Sequence, residues 1–330
     1  MKAVLVRAFG SIEGAKLEEF LDPVAKPGDV VIDVEAVETN YPDVLVIEGR
    51  YQFKPQLPFI PGKAAAGRIA ALGDGVKGLA VGQRIAVQME NGAYASKVCV
   101  PERFCYPIPD GISAVHAAAL VLTYQTAWWA FTDRAQLVPG ESVLVLGAGG
   151  GVGVAAIGLA KALGAGVVIG ATRGLGKAAA IRKAGADHIV DLEQDDLREG
   201  LRNDIRRATG GKGVDVVIDA VGGAATDAAL RAMAWRGRLV VVGFAGGDIP
   251  TIRANYLLLK NIAVSGLQVS DYRDRWPQKV THAQAEIFRL CSEGRLTPVV
   301  SEVLPLASFA EALAALREGR AEGKIVLEVG

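Results

Sequence analysis

Along the first third of the chain, apolar residues come in short runs rich in valine and isoleucine, at 30–37, 66–72, 83–88 and 95–100. Turn-forming residues punctuate them, among them Gly73-Asp74-Gly75 and Pro107-Ile108-Pro109-Asp110. Short apolar runs bounded in this way predict strands, and many strands without intervening helices predict a barrel-like β domain. From Tyr124 the rhythm changes. Apolar runs at 143–147, 167–171, 188–190, 214–219, 238–243 and 262–266 alternate with helical periodicity at 154–163, 175–184, 197–208 and 224–234. This alternation predicts an α/β fold with a doubly wound parallel sheet. Past Gly266 the alternation stops, and the pattern predicts a helix over 281–293, a strand over 299–304, a helix over 309–318 and a last strand over 324–329. The final segment has the character of the β part, so the chain is expected to return to its first domain. The expected division is 1–123 completed by 267–330, with 124–266 as a second domain.

Composition narrows the partners. A length of 330 residues suits two domains, and 51% apolar with 22% charged residues is the make-up of a soluble globular protein. The 36 Lys and Arg balance 36 Asp and Glu, with no basic cluster interleaved with aromatics, which argues against nucleic acid. Cys99, Cys105 and Cys291 form neither a disulfide framework nor a paired zinc spacing, which fits a reducing cytoplasm. Met1 to Arg7 reads as a first strand rather than a signal peptide. The apolar stretches 112–131 and 143–172 are broken by polar residues or glycines and read as buried elements, not membrane spans.

The chemistry concentrates at a glycine run, Gly147-Ala148-Gly149-Gly150-Gly151-Val152-Gly153, set between the run Val143 to Leu146 and the helical pattern Val154 to Leu163. Strand, glycine turn and helix together receive a pyrophosphate on helix N–H groups. Ala148 takes the place of the first glycine, so the motif reads Ala-x-Gly-x-x-Gly over Ala148, Gly150 and Gly153. An NAD site places an acid about 20 residues further on to accept from the ribose 2′-hydroxyl. Here that place holds Thr172-Arg173, with Lys177 one turn beyond, and no Asp or Glu occurs between Ser142 and Ala186. A cationic pocket of this kind suits the 2′-phosphate of NADPH, which Arg grips as a planar fork and Lys attracts as a point charge. Solvated positions in a loop and on a helix face are the alternative for both residues. Two later strands end at Val221-Gly222-Gly223 and at Gly243-Phe244. Ligands of open α/β sheets lie outside such carboxyl ends, where small residues let a flat cofactor approach.

At the level of family, the chain resembles the zinc-free quinone oxidoreductases (zeta-crystallin-like) of the medium-chain dehydrogenase/reductase superfamily. The resemblance rests on Asn40-Tyr41-Pro42-Asp43 with Gly49-Arg50-Tyr51, Pro58-Phe59-Ile60-Pro61-Gly62 through Gly67, Leu122-Thr123-Tyr124-Gln125-Thr126-Ala127, the glycine turn, and Phe244-Ala245-Gly246-Gly247 through Asn255 to Asn261. It implies a GroES-like β domain, a Rossmann domain, a cleft between them and a homodimer joined through the nucleotide domains. It implies Asn40 and Tyr51 on the substrate side of the nicotinamide, and Thr126 and Asn255 near the cofactor. Each has a plainer reading: a turn-forming Asn before Tyr-Pro, a core aromatic, a helix cap, a loop residue. Where zinc alcohol dehydrogenases of the superfamily carry a Cys and a His, this chain has Asn40 and Lys63, and His116, His188 and His282 are scattered. No catalytic metal is expected.

Three departures stand out. Ala64 occupies a place where the family has an acid, Leu192 replaces a tyrosine that helps hold the 2′-phosphate in some members, and the loop 267–273 is more polar than in relatives. Two readings stand for Lys63: a surface lysine after a turn, or a cation near the acceptor oxygen. The function expected is hydride transfer from NADPH to a small quinone or similar conjugated acceptor. Reduction of an activated C=C bond in enones, acrylates or acrylyl thioesters is the alternative, and an NADPH-binding protein without catalysis is a third.

Overall fold

A computed structural model describes residues 1–330, and its chain divides into two compact units. The first comprises Met1–Leu122, Ser270–Gly294 and Val300–Gly330; the second comprises Thr123–Val269 and Arg295–Val299. The mixed α/β class and the parallel sheet agree with the pattern of the sequence. The expected division differs at its boundaries, where Thr123 and 267–269 fall in the second unit, and in the assignment of 295–299. Leu296, 2% exposed, packs beside Gly158, and Arg295 donates to the Ala162 carbonyl at 2.6 Å, so this short segment is held by the second unit.

The first unit begins with β1 (Lys2–Leu5) paired antiparallel to β2 (Lys16–Glu19). There follow β3 (Asp29–Glu38), α1 (Tyr41–Ile47), β4 (Ala64–Leu72), β5 (Arg84–Gln88), β6 (Lys97–Pro101), β7 (Cys105–Pro107) and α2 (Ala114–Ala119). Helix α1 sits where no helix was expected. Its start is a proline in the first turn behind Asn40, a position where the missing proline N–H costs nothing. Helix α3 (Leu122–Trp129) opens at the junction and leads into the second unit.

The second unit then runs β8 (Ser142–Leu146), α4 (Gly151–Ala162), β9 (Val167–Thr172), α5 (Ala178–Ala184), β10 (His188–Asp191), α6 (Leu197–Ala208), β11 (Val214–Asp219), α7 (Gly223–Ala232), β12 (Met233–Val241), α8 (Ala254–Lys260) and β13 (Ala263–Gly266). Its six strands pair in parallel in the order β10-β9-β8-β11-β12-β13. Strand β8 is buried throughout, as a parallel strand covered by helices on both faces must be. Strand β12 starts five residues before the expected Arg238, directly from the end of α7. Arg236 adopts a left-handed backbone (φ 63°) there, and the pairing of β11 with β12 shifts register between Val214 and Val216.

The chain ends with α9 (Val269–Arg275), α10 (Pro277–Ser292), β14 (Val300–Pro305), α11 (Phe309–Arg317) and β15 (Lys324–Glu328). Strand β15 pairs antiparallel with β3, so the last strand completes the sheet that the third one centres, in the order β14-β15-β3-β4-β5-β7. No helix is long and apolar enough to cross a membrane.

Candidate functional site

In the second unit, the sheet itself chooses a binding edge. Strand β8 is flanked by β9 on one side and β11 on the other, so connections from β8 and from β10 depart in opposite directions and leave a crevice at the carboxyl end of β8. The glycine turn occupies that place. Gly147 has a left-handed backbone (φ 73°), and a side chain there would lie 2.9 Å from Val221 Cγ2. At Gly153, in the first turn of α4, a Cβ would lie 2.2 Å from the Gly147 carbonyl oxygen. Ala148 is fully buried, and room for its methyl group exists because its neighbour on β9 is Gly170, where a Cβ would stand 3.0 Å from it. The alanine in the first glycine position is thus compensated across the sheet. Within α4 the hydrogen bonds begin with Val154 N–H to Gly150 O, leaving the N–H groups of Gly151, Val152 and Gly153 at the free end of a twelve-residue helix. These residues fit a pyrophosphate.

Of the other predicted positions, Lys177 and Val221 are joined to the glycine turn by contact. Thr172 ends β9 and is buried; Arg173 follows it, exposed. The aliphatic stem of Lys177 lies across Gly149, where an added Cβ would be 2.6 Å from Lys177 Cδ. The glycine turn and Lys177 are therefore one piece of structure, joined by the absence of a side chain. Val221 lies between Gly147 and the loop after β12, and accepts from the Gly246 N–H at 2.9 Å. Gly243 and Phe244 follow β12, with the Phe244 ring against Gly222. Thr126 is buried on α3, and Asn255 is exposed in the first turn of α8.

One expectation needs refinement. The stretch 142–186 lacks acids in sequence, but β10 brings two acids to it in space. Asp191 accepts from the Gly174 N–H at 2.9 Å and from the Glu193 N–H at 2.8 Å, and a Cβ at Gly174 would be 3.6 Å from Glu193 Oε2. The Asp191 carboxylate is occupied in shaping the turn after Arg173. Leu192, between the two acids, bonds Thr172 O through its backbone at 2.8 Å and lends no hydroxyl.

In the first unit, Asn40 and Lys63 are buried and both act on Asp43, and Tyr51 lies half-buried beside Lys63. Asn40 caps α1: its N–H donates to Asp43 Oδ2 at 2.9 Å. Its side-chain Oδ1 accepts from Lys324 Nζ at 2.7 Å. An ammonium only donates, so this bond fixes the amide orientation. Nδ2 is left buried without a hydrogen bond, turned to the side where the Asn40 amide helps hold the Glu38 carboxylate charged. Lys324 also donates to Thr39 O at 2.8 Å and pairs with Glu38 Oε2 at 2.8 Å, both side chains being essentially inaccessible. Burial raises the Glu38 carboxyl, with Lys324 opposing the shift. Asp43, also buried, is pushed up to about 6 by desolvation, against the pull of Lys63 and of hydrogen bonds from Asn40 and Tyr94. Tyr94 Oη donates to Asp43 at 3.1 Å, and burial beside that carboxylate holds its phenol well above the usual range.

Of the two sequence readings of Lys63, the structure rules out the surface lysine, since the residue is 3% exposed. Its Nζ is held by Glu90 through Oε1 at 2.6 Å and the carbonyl at 3.0 Å, and lies 4.9 Å from the centre of the Tyr51 ring. Its charge is paired with Glu90 while still acting on Asp43. Glu90 in turn gathers Ser270 Oγ at 3.1 Å and Arg273 Nη1 at 3.4 Å. The polar character of 267–273 has here a structural cause, because that segment is anchored to Glu90 from α9. Tyr51 is half-buried against the core, one face covered by the lysine.

Sequence reasoning missed three contributors. Asp219, fully buried at the end of β11, accepts from the N–H groups of Val221 and Gly222 and from Thr226 Oγ1, and so sets the turn that carries Val221. An acid ending an apolar strand was its only signal. Glu38 and Lys324 lie 286 positions apart in numbering and meet because β15 pairs with β3; nothing local announces them. No group of three or more His, Cys, Asp or Glu side chains is placed to hold a metal ion.

Comparison with known proteins follows the same outline. The alcohol dehydrogenase GroES-like domain matches residues 26–110, and the zinc-binding dehydrogenase family matches residues 151–286. Quinone oxidoreductase-like protein 2 of Bos taurus is 34% identical over 95% of this chain and 88% of its own length. A mycocerosic acid synthase-like polyketide synthase of Mycobacterium tuberculosis is 34% identical over 98% of this chain, which corresponds to 15% of that protein. Among solved structures, the Escherichia coli quinone oxidoreductase complexed with NADPH superposes with a TM-score of 0.90 at 28% identity, covering 99% of this chain and 100% of that one. The glycine turn at the crevice, the first-unit fold and these similarities over nearly the full length lead to one conclusion: the chain belongs to the zinc-free quinone oxidoreductase family of the medium-chain dehydrogenase/reductase superfamily.

Proposed function

We propose that the protein transfers hydride from NADPH to a quinone or a similar small conjugated acceptor. Oxidoreductase chemistry follows from the family. The observation that carries the choice of cofactor is the junction of Lys177 with Gly149: it seats a cation on the turn that receives the pyrophosphate, beside Arg173, with no acid in the place that would bind a ribose 2′-hydroxyl. NADPH supplies the hydride when bound. Gly151, Val152 and Gly153 hold its pyrophosphate, Arg173 and Lys177 its 2′-phosphate, and Val221, Gly243 and Phe244 border the same edge.

For the acceptor, the supporting feature is Asn40. A buried amide with its oxygen pinned by Lys324 carries two N–H donors, of which the Glu38 carboxylate draws on one; an N–H so held is the kind of group that polarises an oxygen on which charge develops. Tyr51, whose ring centre lies 4.9 Å from Lys63 Nζ, is the second candidate donor. Similarity to a segment of a polyketide synthase keeps a second reading, reduction of an activated C=C bond in an enone, acrylate or acrylyl thioester. A homodimer joined through the second unit is part of the proposal: β13 is an edge strand, and α8 just before it exposes Leu258 and Leu259 at 78% and 74%.

The test is cofactor oxidation measured with NADPH and NADH against quinones, enones and acrylyl derivatives. NADPH turnover with quinones is expected. Equal use of NADH overturns the cofactor assignment, and tight NADPH binding without turnover of any acceptor favours a non-catalytic role.

A further inference from the structure

The second unit carries another cavity, of about 330 Å³, at the opposite end of the sheet from the glycine turn. Lys212 and Gly213 lead into the amino end of β11, Ala232 and Met233 into that of β12, and Lys260 closes α8. From α6, Glu199, Arg202 and Arg206 line it, at spacings of three and four that set them on one helix face. Five cations, with Arg231 as the fifth, thus face one acid.

The single acid does not balance them. Glu199 pairs with Arg202 at 3.3 Å, with both side chains substantially exposed. Arg206, Lys212, Arg231 and Lys260 have no carboxylate partner, although other arginines on the same helix do: Arg198 pairs with Asp227 at 2.6 Å and Arg207 with Asp204 at 3.2 Å. Arg231 is also rigid. Its Nη2 donates to Tyr256 Oη at 2.6 Å, its guanidinium stands 5.3 Å from the centre of the same ring, and its Nε is buried with no acceptor. Lys260 is fixed by the carbonyls of Leu230, Arg231 and Met233. Burial, then the charges of Arg202, Arg206 and Arg231, lower its ammonium. Like charges held together without counter-charge repel, and an anion removes that cost.

We propose that this cavity is a second, separate binding site, for a small soluble polyanion of the phosphate class. Guanidinium groups match phosphate oxygens, and the lysines add point charge. The volume exceeds that of a single phosphate and accommodates two phosphate groups. Free pyrophosphate and a phosphorylated sugar share this chemistry and differ in whether an organic body is also recognised.

The full-length protein, saturated with NADPH to fill the glycine turn, is titrated calorimetrically with inorganic pyrophosphate and, separately, with a sugar bisphosphate. Saturable binding is expected, weakened at least about tenfold by the double change Arg206→Glu, Lys212→Glu, with NADPH affinity unaltered. Both residues are exposed, so folding is preserved, and circular dichroism checks it. The Arg206→Gln, Lys212→Gln variant, which only neutralises charge, is expected to fall between. The tighter of the two ligands identifies the source. Absence of saturable binding of either, persistence of the affinity in the charge-reversed protein, or reproduction of the heat by sodium chloride at matched ionic strength overturns the proposal.

Discussion

At the scale of single residues, the first unit concentrates its chemistry in buried groups that fix one another. The Lys324–Glu38 pair is the extreme case. Lys324→Met leaves Glu38 buried without its cation, and a loss of about 3–5 kcal/mol in unfolding free energy is expected by denaturant titration. Glu38→Met in the same chain should recover much of that loss, because the uncompensated charge is gone. Asn40 draws its orientation from the same lysine. Asn40→Ala is expected to lower quinone turnover about 100-fold while leaving the KM for NADPH unchanged; an unchanged kcat removes Asn40 from the chemistry. Asp43 gives a pH signature. Its folded carboxyl titrates at about 6 against an ordinary 3.8, so the folded state keeps the proton to higher pH than the unfolded chain. This group favours folding below pH about 4, and that contribution, up to roughly 3 kcal/mol, is lost as pH rises through 6. Asp43→Asn keeps an acceptor for Asn40 and Tyr94 but cannot titrate. The stability difference between variant and parent should therefore shift in favour of the variant between pH 4 and 7, as read from denaturation midpoints. A constant difference would falsify the raised Asp43.

At the scale of elements, the βαβ turn around α4 shows what a local pattern can specify. Strand, glycines and helix were legible because each follows from short-range rules: an apolar run, residues free of Cβ where backbones meet, and apolar helical spacing. The helix begins at Gly151 rather than Val154 because those glycines are already helical, which residue propensity alone disfavours. The compensation of Ala148 by Gly170 was not legible, since it crosses between β8 and β9. Gly153→Val should abolish NADPH binding by driving side-chain atoms into the Gly147 carbonyl, while Gly150, whose Cβ would meet no atom closer than 3.5 Å, tolerates alanine sterically. The double change Arg173→Ala, Lys177→Ala should raise the KM for NADPH by about 10- to 100-fold with that for NADH little altered. An unaltered NADPH KM sinks the 2′-phosphate assignment.

At the scale of the whole molecule, the proposed dimer is the simplest quantity to measure. Light scattering should give about twice the chain mass of 34.5 kDa, and Leu258→Asp with Leu259→Asp should halve it. A monomeric parent protein ends that proposal. The sequence by itself determined the α/β class, the parallel sheet, the return of the chain to its first unit and the place of the glycine turn. All of these depend on periodicity and on contacts between neighbours in sequence, which a linear pattern records. Tertiary structure alone decided the state of the charges. It buried Lys63 and matched it to Glu90, set Lys324 on Asn40 through the pairing of β15 with β3, brought Asp191 to the turn after Arg173, and left the cations around Lys260 short of carboxylate partners. Charge acts through distance and dielectric, and both are properties of the folded chain, so a lysine in a sequence has a position but not yet a partner.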